Sequence, residues 1–181
     1  PHPLFDNYSE PVTRAEAIVR LSLCPAEKFI LFFGFVRQYK GLDLLLEAMA
    51  DQAVRDLGVK LIIAGEFYED EKPYFDLIHK HQLGSRIILH SHFIKREEVR
   101  YYFSAASLVV QPYRSATQSG VTQVAYHFNK PMIVTDVGGL AEIVPHGKCG
   151  YVVAPEPGAI AEAITDFFRG GDEDRFRGGI E

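Results

Sequence analysis

Phe29-Ile30-Leu31-Phe32-Phe33-Gly34 decides the fold: five apolar residues in a row, stopped by a glycine. A continuous apolar run this short reads as a strand covered on both faces, as in a parallel sheet between helix layers. The flanking segments agree. Residues 41–50 follow a helical period that puts Leu42, Leu45, Leu46 and Met49 on one face. Upstream, residues 13–22 read as a helix, with Thr13 and Glu16 at capping-box spacing. Further strands are expected at 59–64, 86–90, 108–111, 132–135 and 151–153. Helices are expected at 71–82, 95–106, 120–128, near Leu140 and at 157–168. Strands alternating with helices imply an α/β fold with a doubly wound parallel sheet and right-handed crossovers. Ligands of such sheets sit outside the carboxyl ends of the strands, so the loops that follow each strand are where function is sought.

The 181 residues suit one domain, with residues 1–11 expected as the remnant of an interdomain linker and residues 170–181, rich in glycine and charge, as a frayed tail. The start at Pro1 rather than Met is expected to lie inside a longer gene product. Hydrophobic residues make up 47% and the net charge is −5. No basic excess points to nucleic acid. The two cysteines, Cys24 and Cys149, have no metal-binding spacing and are expected as reduced thiols, which fits a cytoplasmic protein. No apolar run is long enough to span a bilayer. His79 and His81 point apart on a helix, and His90 and His92 lack a third ligand, so no metal site is expected.

Three loops carry candidate chemistry. The first, Gly34-Phe35-Val36-Arg37-Gln38-Tyr39-Lys40-Gly41, contains neither a dinucleotide fingerprint nor a P-loop. It does offer a glycine at a strand end, a planar guanidinium at Arg37 and a point charge at Lys40, a set that suits phosphate oxygens or simply a solvated loop. The second, residues 115–121, brings Ser119, Gly120 and Val121 to a helix start. Free backbone N–H groups and the helix dipole there favour an anion, although a plain N-cap would use the same residues. The third, Val137-Gly138-Gly139, permits a tight turn.

Taken in this order the loops are more specific than any one of them. The stretches FFGFVRQYKGLDLLLEA (32–48), LIIAGE (61–66), QPYRSATQSGVTQVAYHFNKPMIVTDVGGLAEIV (111–144) and HGKCGYVVAP (146–155) resemble the C-terminal domain of family 4 retaining glycosyltransferases. The resemblance implies a Rossmann-like domain, the C-terminal half of a GT-B architecture, that binds a nucleotide-diphosphate sugar. Gly34, Arg37, Lys40, Ser119, Gly120 and Val121 would contact the diphosphate. The family's arginine usually follows the first glycine at once; here that place is Phe35, and Arg37 stands in. The family often has two glutamates in the second loop, for the sugar and the ribose; here Gln118 and Gln123 take that place. Ser91, His92 and Phe93 would meet the base, with Glu66 and Tyr113 at the pocket border. The acceptor and most catalytic groups would come from an N-terminal domain outside this chain, so the chain alone is expected to be inactive. No cofactor or metal is expected, and the parent protein is expected in the cytoplasm, with peripheral membrane association left open. Two alternatives stand beside this reading: an epimerase of the same architecture, and a degenerate domain kept as a non-catalytic interaction module.

Overall fold

The computed structural model describes residues 8–116 and 119–180. Six strands form one sheet: β1 Phe29–Phe33, β2 Lys60–Ala64, β3 Ile87–His90, β4 Leu108–Gln111, β5 Met132–Thr135 and β6 Gly150–Val153. All pairings are parallel and the order is β3-β2-β1-β4-β5-β6. The helices are α1 Arg14–Arg20, α2 Leu42–Met49, α3 Gln52–Leu57, α4 Lys72–Lys80, α5 Val99–Ala105, α6 Gly120–His127, α7 Leu140–Ile143, α8 Pro157–Arg169 and α9 Glu173–Ile180.

Alternation along the strands splits the interior into two cores. Ile30 and Phe32 face one way, with Leu61, Ile63 and Val110, and are covered by α2, α3, α4 and α8. Phe29 and Leu31 face the other way, with Ile62, Val109 and Val134, and are covered by α1, α5, α6 and α7. Both faces of β1 are therefore dry, which is why its sequence shows no polar alternation.

Thr13 caps α1 as its spacing predicts, its Oγ1 accepting from the Glu16 N–H at 3.1 Å. The segment expected as one helix over 95–106 opens instead as a 3-10 turn, Arg96–Glu98, before α5. Two further findings differ from the sequence reading. Helix α3 was not foreseen; Asp51 caps it and Val54 anchors it in the core. The tail beyond Gly170 is not frayed over 173–180. It forms α9, because Phe176 is fully buried, stacking on Phe167 at 6.1 Å and edge-on to Tyr151 at 5.1 Å. Glycine and charge favour fraying locally, but burying one phenylalanine outweighs that preference.

The strand order reverses direction between β1 and β4. The loops leaving their carboxyl ends therefore part and leave a crevice, the usual ligand position in this topology.

Candidate functional site

The first loop is built to turn Lys40 inward. A single 3-10 turn, Gln38–Lys40, ends at Gly41, which sits at φ 68°. A Cβ at Gly41 would lie 1.8 Å from the Pro112 carbonyl oxygen, so only glycine lets α2 start this close to the loop after β4. Two bonds brace the turn: the Arg114 N–H donates to the Tyr39 carbonyl at 2.7 Å, and the Gln38 N–H donates to Glu69 Oε2 at 2.9 Å. Arg114 also pairs with Asp43.

Lys40 is consequently only 9% exposed. Among the described residues no carboxylate lies within salt-bridge distance of its ammonium, which instead faces the rings of Phe35 (5.5 Å) and Tyr113 (5.9 Å). Burial, with the Arg37 charge adding to it, lowers its pKa to about 8. A Cβ built on Gly34 would meet Lys40 Nζ at 3.3 Å and Val121 Cγ2 at 3.5 Å. The strand-end glycine, the lysine and the first turn of α6 therefore converge on one spot.

The start of α6 is held from beneath. Gln111, the last residue of β4, is buried, and its Oε1 accepts from the Ser119 hydroxyl at 2.5 Å while its Nε2 donates to Thr122 Oγ1 at 3.1 Å. Tyr113 Oη lies 3.3 Å from Ser119 Oγ, and burial raises the Tyr113 pKa to about 12. With its hydroxyl committed to Gln111, Ser119 makes no side-chain capping bond to α6. The leading amides of the helix keep their hydrogen-bonding capacity. A Cβ on Gly120 would meet nothing within 4 Å. Protein packing therefore does not demand glycine there, and the space above Gly120 belongs to the cleft.

These residues line a cleft of about 360 Å³ at the carboxyl ends of β1, β2 and β4. Gly34, Lys40, Ser119, Gly120 and Val121 all border it, as do Glu66, Phe93 and Tyr113. Lys40 and Glu66 are its only charged lining residues among those described. Four other residues of the sequence reading lie elsewhere. Arg37 is exposed at the rim, its guanidinium over the Tyr68 ring at 4.8 Å, with Tyr68 stacked in turn on Phe35 at 4.4 Å. Ser91 is exposed outside the cleft, and His92 borders a separate hollow with Arg20 and Tyr102, its ring stacked on His90 at 5.9 Å. Gln123 is half-buried one turn into α6, and the 100° step per residue carries it off the face shared by Gly120, Val121 and Val124. Gln118 lies outside the described residues. Gly138 packs against the Ala116 backbone and does not reach the cleft. Among the described residues no group of three or more His, Cys, Asp or Glu could hold a metal ion, and no helix is long and apolar enough to cross a membrane.

Sequence reasoning missed Gln111, Phe35 with its partner Tyr68, and Tyr39, which lines the cleft edge-on to Tyr113. A polar residue closing the otherwise apolar β4 was the available signal for Gln111.

The model of the glycosyl transferases group 1 family matches residues 27–169. The chain belongs to this family. Among curated relatives, D-inositol 3-phosphate glycosyltransferase 1 of Catenulispora acidiphila is 32% identical over 174 residues, covering 90% of this chain and 41% of its own length. This chain thus spans about two fifths of that group 1 relative. Among solved structures, the C-terminal domain of the group 1 protein LpcC from Francisella tularensis superposes with a TM-score of 0.83 at 18% identity, covering 97% of this chain and 93% of that one. Anabaena HepE in complex with UDP-glucose superposes with a TM-score of 0.82 at 18% identity, covering 97% of this chain and 49% of that one. The fold is the C-terminal, Rossmann-like half of a GT-B glycosyltransferase.

Proposed function

We propose that the chain is the donor half of a retaining glycosyltransferase and that its cleft takes a nucleotide-diphosphate sugar. The observation that carries this is Lys40: a buried ammonium, with no carboxylate partner among the described residues, that converges with the first turn of α6 on Gly34. A charge held this way is costly without an anion and well placed for one. HepE, which shares the fold, is seen with UDP-glucose, in keeping with this reading.

In the bound state Lys40 and the amides of Gly120 and Val121 hold the diphosphate. Arg37, at the rim, adds positive potential. Phe93 borders the base, with Ser91 and His92 on the same loop. As the glycosidic bond breaks, the electron pair goes to the departing diphosphate oxygen, and Lys40 and the amides meet the charge that builds there. Cations and amides do this work rather than a metal, so EDTA leaves donor affinity unchanged. A volume of about 360 Å³ is at the low end for a small-molecule site (about 300–1,000 Å³), as suits one wall of a cleft completed by an N-terminal domain. That domain supplies the acceptor site, and the parent protein works in the cytoplasm.

Calorimetric titration of the chain with UDP, GDP and ADP tests the reading. Saturable binding of one of them, weakened about 10- to 150-fold in Lys40→Met, is expected. No binding of any by the wild-type chain or by its full-length parent would overturn it.

A further inference from the structure

The opposite end of the sheet has a second hollow, of about 260 Å³, where the chain enters β1, β4 and β5. Its most buried charged group is Lys130, 8% exposed and placed by a bond from its own N–H to the Ala125 carbonyl at 2.9 Å. Among the described residues the Lys130 ammonium has neither a hydrogen-bond acceptor nor an ion-pair partner. Around it stand Arg14 from α1, Lys28 ahead of β1 and Arg177 from α9, with Ser104 and Ser107 contributing hydroxyls. Among the described residues two carboxylates face these four cations, Glu27 and Glu173. Glu27 is already taken by Lys60 at 2.7 Å. Arg14 spends part of its guanidinium on the Pro25 and Glu27 carbonyls, which fixes it as one wall.

We propose that this hollow is a second anion site, taking a phosphate-sized dianion, either inorganic phosphate or a phosphate monoester, on Lys130 and Arg177. Burial of the Lys130 stem strips much of the solvation from its ammonium, and no acceptor among the described residues replaces it. The surplus of positive charge asks for more than one negative charge to balance it. The space, at about 30 Å³ per water, holds an oxyanion with a few waters and is too small for a nucleotide. Burial lowers the Lys130 pKa to about 8, with Glu173 opposing the drop and Arg177 and Arg14 adding to it. An oxyanion here would restore the proton's hold. The site lies across the sheet from the cleft and does not depend on what the cleft binds.

The full chain is titrated calorimetrically with inorganic phosphate at constant ionic strength, beside glucose 6-phosphate and chloride. Saturable phosphate binding is expected, weakened about tenfold or more, the scale of one lost charged contact, in Lys130→Met and in Arg177→Glu, but retained in Lys40→Met. Arg177 is exposed, so its variant keeps the test valid if Lys130→Met fails to fold. Tighter binding of glucose 6-phosphate than of phosphate would mark the ester as the ligand; equal or weaker binding would mark the free ion. The proposal is overturned if phosphate does not bind saturably, if chloride competes equally, if Arg177→Glu binds as the wild type does, or if the binding is lost only in Lys40→Met.

Discussion

Replacing Lys40 with methionine separates what the residue costs from what it contributes. Methionine keeps most of the apolar stem and removes the charge. In the folded protein, burial first and Arg37 second lower the Lys40 pKa to about 8, against 10.5 for a free lysine. That gap corresponds to about 3 kcal/mol against the ammonium, an upper figure. At pH 7 both the folded and the unfolded chain hold the proton, so the penalty is present in full. As pH rises from 8 towards 10.5 the folded chain releases its proton first, and the penalty fades. Lys40→Met should therefore be more stable than the wild type at pH 7 by roughly 2–3 kcal/mol, about 5–10 °C in Tm for a chain of this length, and the difference should close above pH 8. The same change removes a charge-assisted contact to the diphosphate, worth about 1.5–3 kcal/mol, so nucleotide affinity should fall about 10- to 150-fold. Scanning calorimetry across pH and titration of the nucleotide read the two effects separately. A variant that is less stable at pH 7 yet binds nucleotide as the wild type does would refute the reasoning.

Gly120→Ala should leave Tm unchanged, because its Cβ meets nothing within 4 Å, yet weaken nucleotide binding by intruding on the cleft; calorimetry and a binding titration check the pair. Gly41→Ala should do the reverse and cost stability outright, since φ 68° and a Cβ 1.8 Å from the Pro112 carbonyl oxygen cannot both be relieved locally; a Tm drop of several degrees in a thermal melt is the expected reading. Gln111→Ala should cost about 1–3 kcal/mol in a denaturant melt, because the buried hydroxyls of Ser119 and Thr122 lose their shared partner. Donor affinity should rise as pH falls towards 8 and level off below it, since only the protonated Lys40 serves the diphosphate; affinity measured from pH 7 to 10 checks the direction.

The sheet was legible because burial on both faces leaves a plain mark, as in Phe29 to Phe33 and Leu108 to Val110. Helix α3 was not, since six residues carry little period. Nor was α9, whose stability comes from Phe176 meeting Phe167 and Tyr151, partners distant in sequence. The convergence of Lys40 with the Ser119–Val121 turn could be read from loop order, because the topology brings successive strand ends together. The direction of a side chain could not. Arg37 and Phe35 are two residues apart, and Tyr68, from another loop, sits between the Arg37 charge and the Phe35 ring. His92 likewise follows His90 rather than the cleft. Gln111 passed unnoticed because its role lies in what it frees: by taking the Ser119 hydroxyl it leaves the α6 amides uncapped.

A crystal structure of the chain soaked with the nucleoside diphosphate it binds tests the central claim most directly. The outer phosphate should lie about 2.7–3.2 Å from both Lys40 Nζ and an amide of Gly120 or Val121. Phosphate density elsewhere in the cleft, with the Lys40 ammonium turned away from it, would contradict the account.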